Sequence, residues 1–273
     1  RGEVLIGHSV GEIAAAHVAG VFSLEDAAVL VTARGRLMQA LPTGGVMASL
    51  EATSAEVQET ISALTLSETL SIAGMNSPIQ TVVSGDEASV DTIVEHFQNK
   101  ERQAKKLVVS HAFHSHHMDG MLDDFRNVAE GISYSAPKVT LISNLSGKRG
   151  GEEVASADYW VKHVRGAVRF CDGIKAAVKE GATTFIEVGP NPVLGALGMK
   201  SVDEPGIGWI MSLRQKPGEW ATILRALGTL HARGGAVDWF SFFGTNDHPP
   251  LALPTYTFQR KRHWVEKPRY MGA

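Results

Sequence analysis

The stretch VLIGHSVG at residues 4–11 joins an apolar run directly to a helical pattern. Val4-Leu5-Ile6 predicts a buried strand, and the residues from Val10 to Ala19 predict the helix that follows it. Small residues around Ser9 let the chain turn tightly, so this G-x-S-x-G pattern predicts a nucleophile elbow that exposes the serine hydroxyl. The N–H of Val10 then lies at the helix N-terminus, where it can stabilise an oxyanion. The alternative is an ordinary glycine-rich turn in which the serine only caps the helix.

The rest of the chain alternates strand and helix patterns, which predicts an α/β fold. Residues 45–110 follow the order strand, helix, strand, strand, helix, strand, which is typical of a ferredoxin-like unit. We therefore expect a small subdomain inserted into a large α/β subdomain that comprises residues 1–44 and 111–246. Residues 247–273 are rich in proline, aromatic and basic residues, so we expect them to run extended over a surface as a linker.

Composition excludes several classes of function. The 273 residues carry 29 acidic and 26 basic side chains, a near-neutral balance that gives no support to nucleic-acid binding. The single cysteine, Cys171, can form no internal disulfide, and no apolar run is long enough to cross a membrane. We expect a soluble, cytoplasmic protein. Because the chain begins with Arg1-Gly2-Glu3, we expect it to be part of something longer.

A serine nucleophile needs a base, and the run HAFHSHH at residues 111–117 is the densest source of histidines. It follows the last predicted strand of the small subdomain, so it can reach a cleft between the two subdomains. One of these histidines is expected to be the base and most of the others to be solvated. A zinc site is the rival interpretation, which we disfavour because alternate residues of an extended segment point to opposite faces. No Asp or Glu between Ser9 and the histidines stands out as the third member of a catalytic triad, so a Ser-His dyad is predicted.

Arg34 lies on the apolar face of the helix predicted from Leu24 to Ala40. Its neighbours three and four residues away are the apolar residues Leu30, Val31, Leu37 and Met38. A buried guanidinium needs a partner. The partner is either a protein carboxylate or an anionic substrate, to which arginine offers a bidentate fork. A serine nucleophile beside an anion-binding arginine suggests acyl transfer from a carboxylated thioester.

Five sequence motifs follow one another along the chain: GHSVGE at 7–12, RGRLMQ at 34–39, NSPIQ at 76–80, HAFH at 111–114 and VGPNPVL at 188–194. Together they resemble a known family, the acyltransferase domain of modular type I polyketide synthases, which is similar to the malonyl-CoA:acyl-carrier-protein transacylases. The resemblance covers Val4 to Trp264. It implies an α/β-hydrolase-like large subdomain with a ferredoxin-like small one.

The resemblance also implies a role for each matching residue. Ser9 would be the nucleophile, His114 the general base and acid, and Arg34 the clamp on the substrate carboxylate. A backbone carbonyl, taken to lie at Arg169, would orient the histidine. The residues that the resemblance places beside the substrate are His8, Asn76 and Phe113.

Further expectations rest on the same resemblance. The motif HAFH goes with malonyl-CoA, because Phe113 leaves less room for a methyl branch than the serine of the methylmalonyl subgroup. The substrates would be malonyl-CoA and a phosphopantetheinylated acyl carrier protein, with no bound cofactor and no metal. Residues 247–273 would wrap toward a ketosynthase. The strand that supplies a second oxyanion donor has no counterpart, so we expect the amino-terminal strands to precede Arg1.

Two other functions stay open at this point. A serine hydrolase or esterase could use the same elbow, although Arg34 would favour carboxylates and no triad acid is visible. An inactive fragment could instead serve as a docking module through its proline-rich and aromatic tail.

Overall fold

The computed structural model describes residues 4–214, 218–244 and 252–264. Its first three elements are β1 (Val4–Ile6), α1 (Gly11–Ala19) and α2 (Leu24–Gln39), as the sequence predicts. The turn between β1 and α1 requires Gly7, because a Cβ there would lie 2.2 Å from the backbone nitrogen of Glu12. Gly11 has open space instead, so only the first glycine of the motif is needed sterically. Ser23 caps α2 by accepting a hydrogen bond from the Asp26 N–H at 3.0 Å.

The small subdomain has the predicted order of strands and helices. Its antiparallel sheet has the strand order Leu70–Ser77, Gln80–Asp86, Gly45–Leu50 and Ala104–Lys106, which is the ferredoxin-like order. Apolar side chains from the sheet and both helices form a core of their own. The elements are β2 (Gly45–Leu50), α3 (Ser54–Ala63), β3 (Leu70–Ser77), β4 (Gln80–Asp86), α4 (Glu87–Gln98) and β5 (Ala104–Lys106).

The large subdomain resumes with a 3₁₀ turn and continues as alternating helices and strands. Strand β1 pairs in parallel with the strand Thr140–Ile142, and the strands Thr184–Glu187 and Gly208–Met211 also pair in parallel, as expected for α/β connections. The elements are the 3₁₀ turn His116–Met121, α5 (Leu122–Ala129), β6 (Thr140–Ile142), a 3₁₀ turn Glu152–Ala155, α6 (Ala157–Arg165), α7 (Phe170–Lys179), β7 (Thr184–Glu187), α8 (Leu194–Ser201), β8 (Gly208–Met211), α9 (Glu219–Ala232) and α10 (Trp239–Phe243).

Backbone hydrogen bonds join the two subdomains at the segment before α7. The Val168 N–H donates to the Ala73 carbonyl at 2.9 Å, and the Met75 N–H donates to the Val168 carbonyl at 2.8 Å. The end of β3 therefore lies against the segment that leads from α6 into α7. This contact brings residues of the small subdomain to the edge of the elbow.

Three details differ from the sequence prediction. The sequence pattern of residues 104–109 predicts a strand, but β5 ends at Lys106 and the chain then leaves the sheet with Val108 exposed. The pattern from Met118 to Ala129 predicts a helix, but this part of the chain begins as a 3₁₀ turn at His116. The short helix α10 was not predicted. Residues 252–264 are exposed and carry no helix or strand, in agreement with the expected linker, whereas the rest of 247–273 lies outside the described residues.

No helix among the described residues is both long and apolar enough to span a membrane. The exact limits of the two subdomains and of the linker stay predictions.

Candidate active site

The elbow holds Ser9 in a strained conformation. Its φ angle is 50°, in the left-handed region that non-glycine residues rarely adopt. Asn144, two residues beyond β6, holds the turn from both sides. Its Oδ1 accepts the Ser9 N–H at 2.8 Å, and its Nδ2 donates to the Gly7 carbonyl at 2.8 Å. The pairing of β1 with β6 thus places the side chain that fixes the nucleophile.

His114 is the histidine that reaches Ser9. Its Nε2 lies 2.8 Å from the Ser9 Oγ, and its own φ angle of 59° is also left-handed. Its Nδ1 lies 2.7 Å from the carbonyl of Gly166. Because a carbonyl only accepts, Nδ1 carries the proton and Nε2 is free to take the serine proton. The geometry is that of a dyad oriented by a backbone carbonyl, as expected.

The residue that supplies this carbonyl was predicted wrongly. It is Gly166, and not Arg169. Helix α6 ends at Arg165, and its C-cap residue Gly166 has extended angles, φ −74° and ψ 150°, so the Gly166 carbonyl turns away from the helix axis. Arg169 instead donates its N–H to the Asn144 carbonyl at 2.9 Å and pairs through its guanidinium with Asp172. The sequence pattern did not show that the C-cap residue of α6, Gly166, lies three residues before Arg169.

Burial keeps His114 neutral. The side chain is 5% exposed, and burial together with the nearby Arg34 cation lowers the pKa of His114 to about 3. An exposed histidine titrates near 6.5. His114 is therefore an unprotonated base throughout the neutral range.

Arg34 lies in the same cluster, as predicted from its helix face. The residue is 4% exposed, and its guanidinium nitrogen Nη2 donates to the Ser9 Oγ at 3.1 Å. Its other terminal nitrogen, Nη1, lies 3.1 Å from the Nδ1 of His163. Burial lowers the pKa of Arg34 to about 10, which leaves the guanidinium charged at neutral pH. Both contacts are to neutral groups, so the protein carboxylate considered as a direct partner does not appear among the described residues.

A second buried group of polar side chains supports this cluster and was not predicted. Glu12, which is fully buried, accepts from the His163 Nε2 at 3.1 Å and from the Asn144 N–H at 2.9 Å. Its other carboxylate oxygen contacts the hydroxyl of Tyr159. His163 and Tyr159 stand four residues apart on α6, on the same helix face. This spacing of two polar residues on the buried face of an amphipathic helix was the available signal.

His8 and Asn76 form the contact between the elbow and the small subdomain. The Asn76 Oδ1 lies 2.9 Å from the His8 Nε2, and the His8 ring packs against Phe170 at 5.4 Å. Burial lowers the pKa of His8, so this ring is also neutral. Phe113 packs against apolar side chains of both subdomains. Contact of any of these residues with a substrate stays a prediction.

The oxyanion site was predicted at the N–H of Val10. Val10 occupies the N-cap position of α1, and the chain turns so that the next two N–H groups donate to the carbonyls of His8 and Ser9. The Val10 N–H thus stands at the positive end of a helix beside the nucleophile. Its use as an oxyanion donor stays a prediction.

The remaining histidines of the run have other partners. The His111 Nε2 lies 3.2 Å from the Leu41 carbonyl. The nitrogens Nε2 of His116 and His117 lie 3.1 Å and 2.7 Å from one oxygen of Asp86. We name Asp86, His116 and His117 the junction cluster, because it joins β4 to the 3₁₀ turn.

The junction cluster has the residue types of a metal site. One donor atom from each of its three residues lies within 4.8 Å of the others. The argument that neighbouring histidines must point to opposite faces was wrong here, because the turn is not extended and the two rings lie 4.5 Å apart. Hydrogen bonding of both rings to the half-exposed carboxylate accounts for the arrangement without an ion. The predicted absence of a metal stays a prediction.

A partly buried serine, a neutral histidine and a charged arginine define a class of enzyme that transfers acyl groups through a serine ester. The family model described as "Acyl transferase domain" matches residues 1–237. The chain belongs to this acyl transferase domain family.

Similar proteins are polyketide synthases. The chain is 43% identical over 267 residues to polyketide synthase GfsA of Streptomyces halstedii. The aligned region covers 97% of this chain and 4% of GfsA. Mycoketide-CoA synthase of Mycobacterium tuberculosis is 42% identical, covering 97% of this chain and 6% of that protein. This chain thus spans a small part of the relatives that it matches.

Solved structures agree with the fold. The acyltransferase domain from the second module of the salinomycin polyketide synthase has a TM-score of 0.87 and 44% identity, covering 94% of this chain and 60% of that one. The acyl-carrier-protein S-malonyltransferase of Bartonella henselae has a TM-score of 0.73 and 30% identity, covering 85% of this chain and 72% of that one. The α/β fold with two subdomains is thereby confirmed.

Proposed function

We propose that this chain moves a malonyl group from malonyl-CoA, through an ester on Ser9, to the phosphopantetheine thiol of an acyl carrier protein. The observation that carries the proposal is the position of the Ser9 Oγ, 2.8 Å from the His114 Nε2 and 3.1 Å from an Arg34 nitrogen. The first contact activates a nucleophile, and the second places a cation where a carboxylated acyl group would lie. The relation to a malonyltransferase of known structure supports the same substrate.

In the first half of the reaction, Ser9 attacks the thioester carbonyl while its proton passes to the Nε2 of His114. The oxyanion of the tetrahedral intermediate accepts the Val10 N–H. As the intermediate collapses, the carbon–sulfur bond breaks and His114 returns its proton to the departing CoA thiolate. The product is a malonyl ester on Ser9.

In the second half, the carrier thiol gives its proton to His114 and attacks the ester. The carbon–oxygen bond to Ser9 breaks, and the proton returns to the serine oxygen. Every group in both halves belongs to the chain or to a substrate, so the mechanism requires no cofactor.

The substrate carboxylate would also affect the base. The charge of Arg34 is one cause of the low pKa of His114. A malonyl carboxylate paired with Arg34 would offset that charge and raise the proton affinity of His114 in the bound state. The enzyme would thus gain a stronger base only when a dicarboxylic acyl group is in place.

Partners and location are part of the proposal. Residues 252–264 expose Tyr256, Phe258 and Trp264, which supports packing of this linker against a neighbouring domain such as a ketosynthase. Cys171 is free and buried in α7, in keeping with a reducing cytoplasm.

The test is the mass of the protein after exposure to malonyl-CoA. We expect one added malonyl group on the full-length protein and none on its Ser9→Ala variant. Adding a pantetheine thiol should remove the group much faster than water does. Removal by water at the same rate would indicate a hydrolase, and no added mass on the wild type would indicate a docking module.

A further inference from the structure

Arg34 is held by a buried chain of side chains that the reaction itself does not use. The His163 Nδ1 lies 3.1 Å from the Arg34 Nη1, and the His163 Nε2 lies 3.1 Å from a carboxylate oxygen of Glu12. The side chains of His163 and Glu12 are 1% and 0% exposed. The three groups therefore form a chain from a buried cation to a buried carboxylate.

The donors and acceptors in this chain fix the tautomer of His163. A guanidinium only donates hydrogen bonds, so the Nδ1 that faces Arg34 must be the acceptor. The proton then sits on Nε2, which donates to Glu12. Burial also lowers the pKa of His163, consistent with a neutral ring. Arg34 is thus anchored by a neutral acceptor, and the negative charge of Glu12 stays one imidazole away.

This separation matters for a substrate that carries a carboxylate. A protein carboxylate bonded directly to Arg34 would occupy its donors and neutralise its charge. A neutral imidazole instead fixes the guanidinium beside Ser9 and leaves its charge for the ligand. An Arg34 without this anchor would keep its charge but lose its fixed position, and a bidentate contact depends on that position.

We propose that His163 is a positioning residue that holds Arg34 and so sets the preference for dicarboxylic over monocarboxylic acyl thioesters. The proposal rests on the proposed function and names a determinant of its specificity. Glu12 serves this role by fixing the tautomer, and it is fixed in turn by the Asn144 N–H and the Tyr159 hydroxyl.

The experiment compares malonyl-CoA with acetyl-CoA as acyl donors to the full-length protein. In His163→Phe the ring remains but the acceptor is lost. We expect the ratio of malonyl to acetyl kcat/KM to fall about 10- to 100-fold, the range for a hydrogen bond to a charged group. His163→Asn, whose Oδ1 can replace Nδ1 as acceptor, should recover part of the ratio. Thermal unfolding checks that His163→Phe is folded. If it is not, His163→Leu replaces it as the variant without an acceptor.

Tyr134→Phe is the matched control. It removes a partly buried hydrogen bond, from the Tyr134 hydroxyl to the Ala129 carbonyl, that lies outside the chain anchoring Arg34, so it should change malonyl and acetyl transfer by the same factor. Equal losses for both donors in the His163 variants would overturn the proposal and indicate a structural role only. The proposed function fails separately, if the wild-type protein accepts no malonyl group at all.

Discussion

Two sets of histidines occupy neighbouring positions in one run of sequence and differ in nearly every physical property. His114 is buried, neutral and bonded to Ser9, with its pKa lowered to about 3. His116 and His117 are partly exposed and share an oxygen of Asp86 in the junction cluster. The hydrogen bond from His117 is the main cause that lowers the pKa of Asp86. Burial and the nearest neighbour, and not the residue type, distinguish the base from the two histidines that hydrogen-bond to a surface carboxylate.

Replacing one histidine from each set should produce the largest contrast. His114→Ala should slow acylation of Ser9 by about two to four orders of magnitude, because the serine loses its general base. His117→Ala removes a partly exposed hydrogen bond to Asp86 and should leave the acylation rate within about twofold. Single-turnover acylation by malonyl-CoA measures both. A greater loss in the His117 variant would mean that the base is assigned to the wrong histidine.

Arginines on one helix extend the contrast between buried and exposed groups. Arg34→Ala should reduce malonyl transfer by about 2 to 5 kcal/mol of transition-state stabilisation while sparing acetyl transfer, which has no charge to pair. Arg36, on the exposed side of α2, is the matched control, and Arg36→Ala should change neither donor. The ratio of the two kcat/KM values is the measurement. Equal losses for malonyl and acetyl in the Arg34 variant would assign that residue a structural role.

Phe113 directly precedes His114 in the run and should give the smallest effect. A pocket that excludes one methyl group discriminates by about 1 to 3 kcal/mol, so malonyl-CoA should be preferred over methylmalonyl-CoA roughly tenfold or more. Phe113→Ser should narrow this preference. Competition between the two thioesters for Ser9 measures it directly. A wild-type protein that accepts both equally would refute the steric explanation.

The parts of the site that could be predicted from sequence are those encoded locally. The elbow at Ser9 follows from a strand, a motif and a helix in direct succession. Arg34 follows from the period of a helix. The order of the small subdomain follows from six consecutive elements, although β5 proved shorter than its apolar pattern suggests.

The parts that could not be predicted depend on distant contacts. Asn144 and His163 reach the elbow from positions more than a hundred residues away, and only the pairing of β1 with β6 and the packing of α6 bring them there. The choice of Gly166 over Arg169 depends on where α6 ends. The sequence also could not show which histidine of the run at 111–117 contacts Ser9, because the chain around the run turns in ways that its sequence pattern does not show.

The central claim is that burial holds His114 neutral and ready as a base. The most direct test is the pH dependence of kcat/KM for acylation, which reports the free enzyme. A malonyl thioester of pantetheine is the suitable donor, because it carries no phosphate that titrates in this range. The account predicts a constant kcat/KM from pH 8 down to pH 5, since a base with a pKa of about 3 stays unprotonated there. A fall of about tenfold per pH unit below 6.5, as for an exposed histidine, would contradict it.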